Sequence, residues 1–228
     1  MRVGDVVQDL NDTLGYGQFI LSGALATVEL TVFSCILALL MAFLAGLGLL
    51  SRHFGVRAVA RIYVEFFRGT SIFVQLFAAY FVLPLTGISL SPVQAGVLAI
   101  GLNGGAYGAE VVRAGIQSVG RDQTEAAIAL NLTRSQAMWW VILPQAVVVM
   151  LPSFGNLAIE IMKATAVASL VTVSELTFQA QMVRSQTGGT AMPFLLIFVA
   201  YLLIASVLMT LVRWLERRFS RGAATVKA

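Results

Sequence analysis

The sequence predicts an all-α fold: a polytopic membrane helical bundle of five transmembrane helices in one domain, residues 1–228. Three observations carry that reading. Hydrophobic residues make up 58% of the chain and charged residues 11%, against about 25% charged in soluble domains. Nearly charge-free runs cover 18–50 (only Glu29), 72–112 (only Glu110), 136–159 and 187–212, each near or above the roughly 20 residues that cross hydrocarbon. The second run is about twice that length and carries Pro84, Gly87 and Pro92 at its middle, so it divides into two spans joined by a turn.

The spans then follow in order at about 16–50, 62–84, 92–113, 145–170 and 193–214. The first is about 50 Å long as a helix, beyond the roughly 30 Å core, so it must tilt or project. Residues 56–68 mix arginines, Glu65 and aromatics and read as an interfacial segment on the cytoplasmic side leading into span two. Span three holds Gly101, Gly104, Gly105 and Gly108, small residues that let helices approach closely in lipid. Span four passes Pro144 and Pro152, then Asn156, Glu160 and Lys163. Residues 175–189 turn polar and predict an outer-side excursion with a short helix before the last span.

Arginine and lysine placement sets the orientation, because short positive loops stay in the cytoplasm. Arg52, Arg57 and Arg61 follow span one; Arg113, Arg121 and Arg134 follow span three; Arg213, Arg217, Arg218, Arg221 and Lys227 make the tail. These segments share a side, so five spans put the amino terminus, with Asp5, Asp9 and Asp12, outside and the tail inside. The net charge of +4 is therefore a topology signal and no nucleic-acid footprint. Acidic groups near Met1 and a long first apolar run argue against a cleaved signal peptide. Cys35 is the only cysteine and lies inside a span, which excludes an internal disulfide or cysteine metal site.

A polar island, residues 121–144, interrupts the apolar pattern. Asp122 and Glu125 have the spacing of a capping box opening a helix over 123–130, and Asn131 suits the left-handed residue that closes it. Thr133 and Gln136 repeat the box at once, and the second helix must stop or kink near Pro144. Ala126, Ala127 and Ala129 are small enough to admit a partner surface. By itself this is either an ordinary connector or a docking element.

Glu125-Ala126-Ala127 followed by Ile142-Leu143-Pro144 resembles the EAA coupling loop of bacterial ABC importer permeases. The likeness extends to 63–70 (YVEFFRGT), Val74-Gln75-Leu76, Ala109-Glu110, Arg113, 115–118 (GIQS), 143–146 (LPQA) and Gly155-Asn156. In this order they resemble the polar amino-acid uptake subfamily, the histidine, glutamine and arginine permease type, over roughly 16–218. The resemblance implies a dimer with itself or a second permease, two ATPase subunits docked at Glu125, Ala126, Ala127 and Asn131, and an extracytoplasmic solute-binding protein. It implies a bacterial inner-membrane subunit without cofactor of its own, ATP being bound by the partner. The family usually has glycine where this chain has Asn131, a change the capping argument tolerates.

Asn156, Glu160 and Lys163 are the candidate substrate-path residues. Ionisable groups at membrane depth are costly and face a partner or a wet path. Glu160 and Lys163, three apart, share a helix face and either neutralise each other or line a passage for a small zwitterion, Glu160 toward its ammonium and Lys163 toward its carboxylate. Relatives often carry an acid after this lysine; Ala164 here argues against strongly cationic cargo and leaves neutral polar amino acids or compatible solutes such as ectoine. Glu29 lies near the outer end of span one and reads as structural. Gln75 and Asn103 can hydrogen-bond across the bundle or contact cargo.

Absences narrow the function. There is no GxxxxGK[ST] loop, and the only lysines are Lys163 and Lys227, so the chain is not its own ATPase of that type. His53 is the only histidine, which excludes HExxH chemistry and leaves an enzyme poorly supported. An ion-gradient-driven secondary transporter or channel is the rival reading, and a membrane scaffold the third. Five spans without an inverted repeat, beside a capped docking element, fit both less well.

Overall fold

The computed structural model describes residue 15 and residues 17–223, with side chains to 218. The expectations for Asp5, Asp9, Asp12 and Lys227 lie outside the described residues. Every regular element among the described residues is helical. They are α1 (Gly17–Leu49), α2 (Phe54–Gly69), α3 (Ile72–Phe77), α4 (Pro92–Ser118), α5 (Arg121–Ala129), α6 (Arg134–Val171, with π and 3-10 stretches), α7 (Leu176–Thr187) and α8 (Ala191–Ala223). Four of these are long and apolar enough to cross a membrane, and a bent pair makes a fifth candidate.

The core is the pairing of α1 with α4, and it rests on the glycines. A β-carbon at Gly105 would sit 2.6 Å from Met41 Cβ, one at Gly108 2.7 Å from Ala42 Cβ, and one at Gly101 2.7 Å from Leu37 Cδ2. Any side chain there would force the helices apart. Lipid offers no hydrophobic gain for helix association, so this close van der Waals fit holds the pair. Leu30, Ala38, Ala95, Ala99 and Ile100 fill the seam.

Span two departs from the single helix expected over 62–84. α2 ends at Gly69, and the segment Ile72–Thr86 leaves at 105° to it. Gln75 and Asn103 secure this bend. Gln75 Nε2 donates to the carbonyl of Phe67 at 2.9 Å and to Thr70 Oγ1 at 2.7 Å, while Asn103 Nδ2 donates to Phe67 O at 2.9 Å and Gln75 Oε1 at 3.1 Å. The pair thus hydrogen-bonds across the bundle, from α4 to α3 and the end of α2.

Two Leu-Pro pairs share one device. Residues 78–82 and 137–142 are π-helical, and the leucine after each donates its N–H five residues back, Leu83 to Ala78 O and Leu143 to Met138 O. The wider turn settles the register before Pro84 and Pro144, whose rings would otherwise meet the preceding turn. Helix α6 therefore does not stop at Pro144. It runs 38 residues from the polar island through the bundle, so the island's second helix and span four are one element.

Candidate functional site

Two regions carry the candidate residues, a knob formed by α5 with the turn after it and the outward face of α6. The knob is built largely by backbone geometry. Its helix starts two residues earlier than the sequence reading because Gly120 is its N-cap, with no side-chain cap bond. Asp122 sits in the first turn instead, where its charge opposes the positive end of the helix dipole. The Asp122–Glu125 box is thus replaced, and Glu125 is exposed.

The far end closes as a Schellman turn. Asn131 is left-handed at φ 57°, its N–H donates to Ile128 O at 2.9 Å, and the N–H of Leu132 donates to Ala127 O at 3.0 Å. Both orphan carbonyls are satisfied by this pattern. The second box forms in full: Gln136 N–H donates to Thr133 Oγ1 and Thr133 N–H to Gln136 Oε1 at 2.8 Å.

The alanines divide by face. Ala126 is exposed, whereas Ala127 retains 1% exposure. α5 packs on the π segment of α6, whose Ala137 is also buried. Ala127 therefore fastens the knob, and the outward surface is Glu125, Ala126, Ile128 (64% exposed) and Leu130 (74% exposed). Those two apolar side chains escaped the sequence reading. The available signal was their place inside an otherwise polar stretch.

Asn156, Glu160 and Lys163 lie at i, i+4 and i+7 on α6, all exposed. Arg61–Glu65, Arg68–Glu110 and Arg113–Glu110 form ion pairs; Glu160 and Lys163 are not within ion-pair distance of each other. Lys163 borders a groove between α6 and α8 that also includes Met162, Phe198 and Tyr201.

Two acids stand out that the sequence reading did not place in a site. Glu110 on α4 takes Arg113 at 2.6 Å and Arg68 at 3.6 Å, and Arg68 lies 5.2 Å over the Tyr107 ring. This ties the end of α2 to α4. Glu175 is fully buried as the N-cap of α7, accepting from Phe178 N–H at 2.8 Å and Tyr201 O–H at 2.6 Å. Burial pushes its carboxyl above the ordinary value, against the hydrogen bonds. α7 is further held by Leu176 N–H on Thr27 Oγ1 and by Gly23, where a β-carbon would meet Leu176 Cα at 3.1 Å. No group of three metal-ligating side chains occurs among the described residues.

Residues 34–221 match the family of binding-protein-dependent transport system inner membrane components. The chain belongs to that family. This permease is 43% identical to a probable amino-acid ABC transporter permease of Sinorhizobium fredii, over 96% of its own chain and 93% of the relative. It is 34% identical to an L-cystine transport system permease of Bacillus subtilis, over 90% of its chain and 88% of the relative. The crystal structure of an amino acid ABC transporter with histidines superposes with a TM-score of 0.85 at 34% identity, covering 92% of the permease and 98% of that chain. The resemblance to ABC importer permeases therefore holds, and the permease is a transport component and not an enzyme.

Proposed function

We propose that this permease carries a neutral polar amino acid or similar small zwitterion into the cytoplasm as the membrane subunit of an ATP-driven importer. The observation that carries the proposal is the continuity of α6. One helix begins in the knob at Arg134 and presents Asn156, Glu160 and Lys163 on its free face, with roughly 44 Å between Arg134 and Lys163 at 1.5 Å per residue. Displacement of the knob displaces the charges.

In this reading the basic side is cytoplasmic, and Glu125, Ala126, Ile128 and Leu130 dock on an ATPase dimer. Nucleotide binding closes that dimer, and the two permease states, inward-open and outward-open, are bound by it differently. A second permease subunit pairs with this one, and an external solute-binding protein delivers cargo. Glu160 takes the ammonium and Lys163 the carboxylate, because an unpaired charge at membrane depth is satisfied by an opposite one. The amino-acid and cystine names of the relatives support this cargo class.

ATP-energised uptake of labelled amino acids into proteoliposomes tests the reading. Glu160→Ala and Lys163→Ala should each abolish uptake while the ATPase still co-purifies. Normal uptake by both variants would overturn it.

A further inference from the structure

Helices α1 and α4 run parallel, since their close contacts climb together from Gly101 beside Leu37, through Gly105 beside Met41, to Val112 beside Gly46. A groove of about 480 Å³ follows their seam, lined by Glu29, Phe33, Leu37, Leu40, Gln94 and Val97 among others. That volume falls within the range of a site for one small ligand. Apart from Glu29 and Gln94, every lining side chain is hydrocarbon. The parallel register sets those two at the same end, so the groove is polar at its mouth and apolar along its length.

Its dimensions are those of one leaflet. From Glu29 to Leu49, the last residue of α1, the helix rises about 30 Å at 1.5 Å per residue, the thickness of the hydrocarbon core. From Gln94 to Arg113 on α4 the rise is about 29 Å. Glu29 and Gln94 therefore mark one edge of the core, the edge away from the knob that follows α4. Glu29 to Leu40 covers about 17 Å, roughly half the core.

Glu29, which the sequence reads as structural, is exposed at this edge. Neither span beside it supplies a cation at its level: Glu29 is the only charged residue in 18–50, and Glu110 the only one in 72–112. A carboxylate at the rim of hydrocarbon is costly unless a positive group meets it. Gln94 Oε1 already accepts from Ser91 N–H at 2.9 Å, which leaves its Nε2 to donate. We propose that this groove holds one phospholipid whose headgroup ends in a primary ammonium, as in phosphatidylethanolamine. The ammonium meets Glu29, the phosphate accepts from Gln94 Nε2, and an acyl chain lies along Phe33, Leu37 and Val97. Charge complementarity within the groove selects this occupant. An ionised carboxylate only accepts hydrogen bonds, and a primary ammonium donates them. The quaternary ammonium of phosphatidylcholine has no N–H, and phosphatidylglycerol brings an anion to an acid. The inference is independent of cargo and of ATPase docking.

Native mass spectrometry of the full-length permease, exchanged into detergent micelles doped with phosphatidylethanolamine, phosphatidylcholine and phosphatidylglycerol, provides the test. The natural protein should retain phosphatidylethanolamine over phosphatidylcholine by about tenfold, the effect of one charge-assisted hydrogen bond, and phosphatidylglycerol least. Glu29→Gln should bring the first two level, and Glu29→Asp should keep part of the preference. Val93→Trp, at an exposed position on the groove's rim, should lower retention of both. Equal retention of the two by the natural protein, or a preference unchanged in Glu29→Gln, would overturn the proposal. So would a natural protein that retains no lipid and loses its dimer in Glu29→Gln, a result that would assign the groove to a second subunit.

Discussion

Gln145, just inside the membrane stretch of α6, donates from Nε2 to Oε1 of Gln123 on α5 at 3.0 Å. The same Nε2 reaches Val141 O at 2.9 Å, so one amide ties the knob to the π segment and the π segment to the span. A partner that pushes on α5 pushes on α6 through this contact and through the buried Ala127.

Loss of that tie should loosen coupling without breaking assembly. A net hydrogen bond contributes about 0.5–1.5 kcal/mol, so Gln145→Leu should lower transport per ATP by about two- to tenfold. Simultaneous uptake and hydrolysis measurements in proteoliposomes check this, with the ATPase still bound. An unchanged ratio would show that Ala127 packing alone carries the motion.

Ala126 and Ala127 are neighbours with opposite fates, and their variants should separate. Ala127→Glu places a charge where 1% exposure remains and should cost several kcal/mol, melting the knob and lowering the midpoint of thermal unfolding. Ala126→Glu should leave unfolding unchanged and weaken only co-purification with the ATPase. Equal thermal profiles for both would contradict the face assignment.

At Asn131 the left-handed backbone decides the outcome. Glycine adopts φ 57° without a Cβ penalty, so Asn131→Gly should be neutral or stabilising, while Asn131→Val should lose about 1–2 kcal/mol from the turn. Thermal unfolding in detergent measures both. A stable valine variant would mean that the Schellman turn is dispensable.

Glu175 predicts a pH dependence whose sign is fixed by burial. Its folded pKa is raised, so the stability it contributes is full below the unfolded value of about 4.3 and is lost as pH rises through the folded one. Between about pH 5 and about pH 9 the natural protein should lose unfolding temperature relative to Glu175→Gln, which carries no titrating carboxyl. A difference that moves the other way would place a charged, well-solvated carboxylate at this N-cap.

Much of the local structure was legible in the sequence. Thr133 with Gln136, the left-handed Asn131 and the glycines of α4 are short-range or packing signals that residue type alone expresses. The Asp122 cap was not, because Gly120 offers a start that needs no side chain. The π segments escaped because they are a register change forced by Pro84 and Pro144 downstream, and a proline reads first as a stop. The 105° bend at Gly69 depends on Gln75 and Asn103, 28 residues apart, and no local pattern announces such a pair. Ala127 was read by size, which fits both a contact face and a buried one; its neighbours in space decided between them.

Coupling requires that events at the knob reach Lys163. Cys35 is the only native cysteine, so Lys163→Cys in a Cys35→Ser background gives a single thiol on the exposed face of α6. Its reaction with a membrane-impermeant maleimide, applied from either side of a reconstituted complex, reads access directly. Access should switch sides when a non-hydrolysable nucleotide traps the ATPase dimer, and Gln145→Leu should blunt the switch. Access from one side regardless of nucleotide would contradict this coupling.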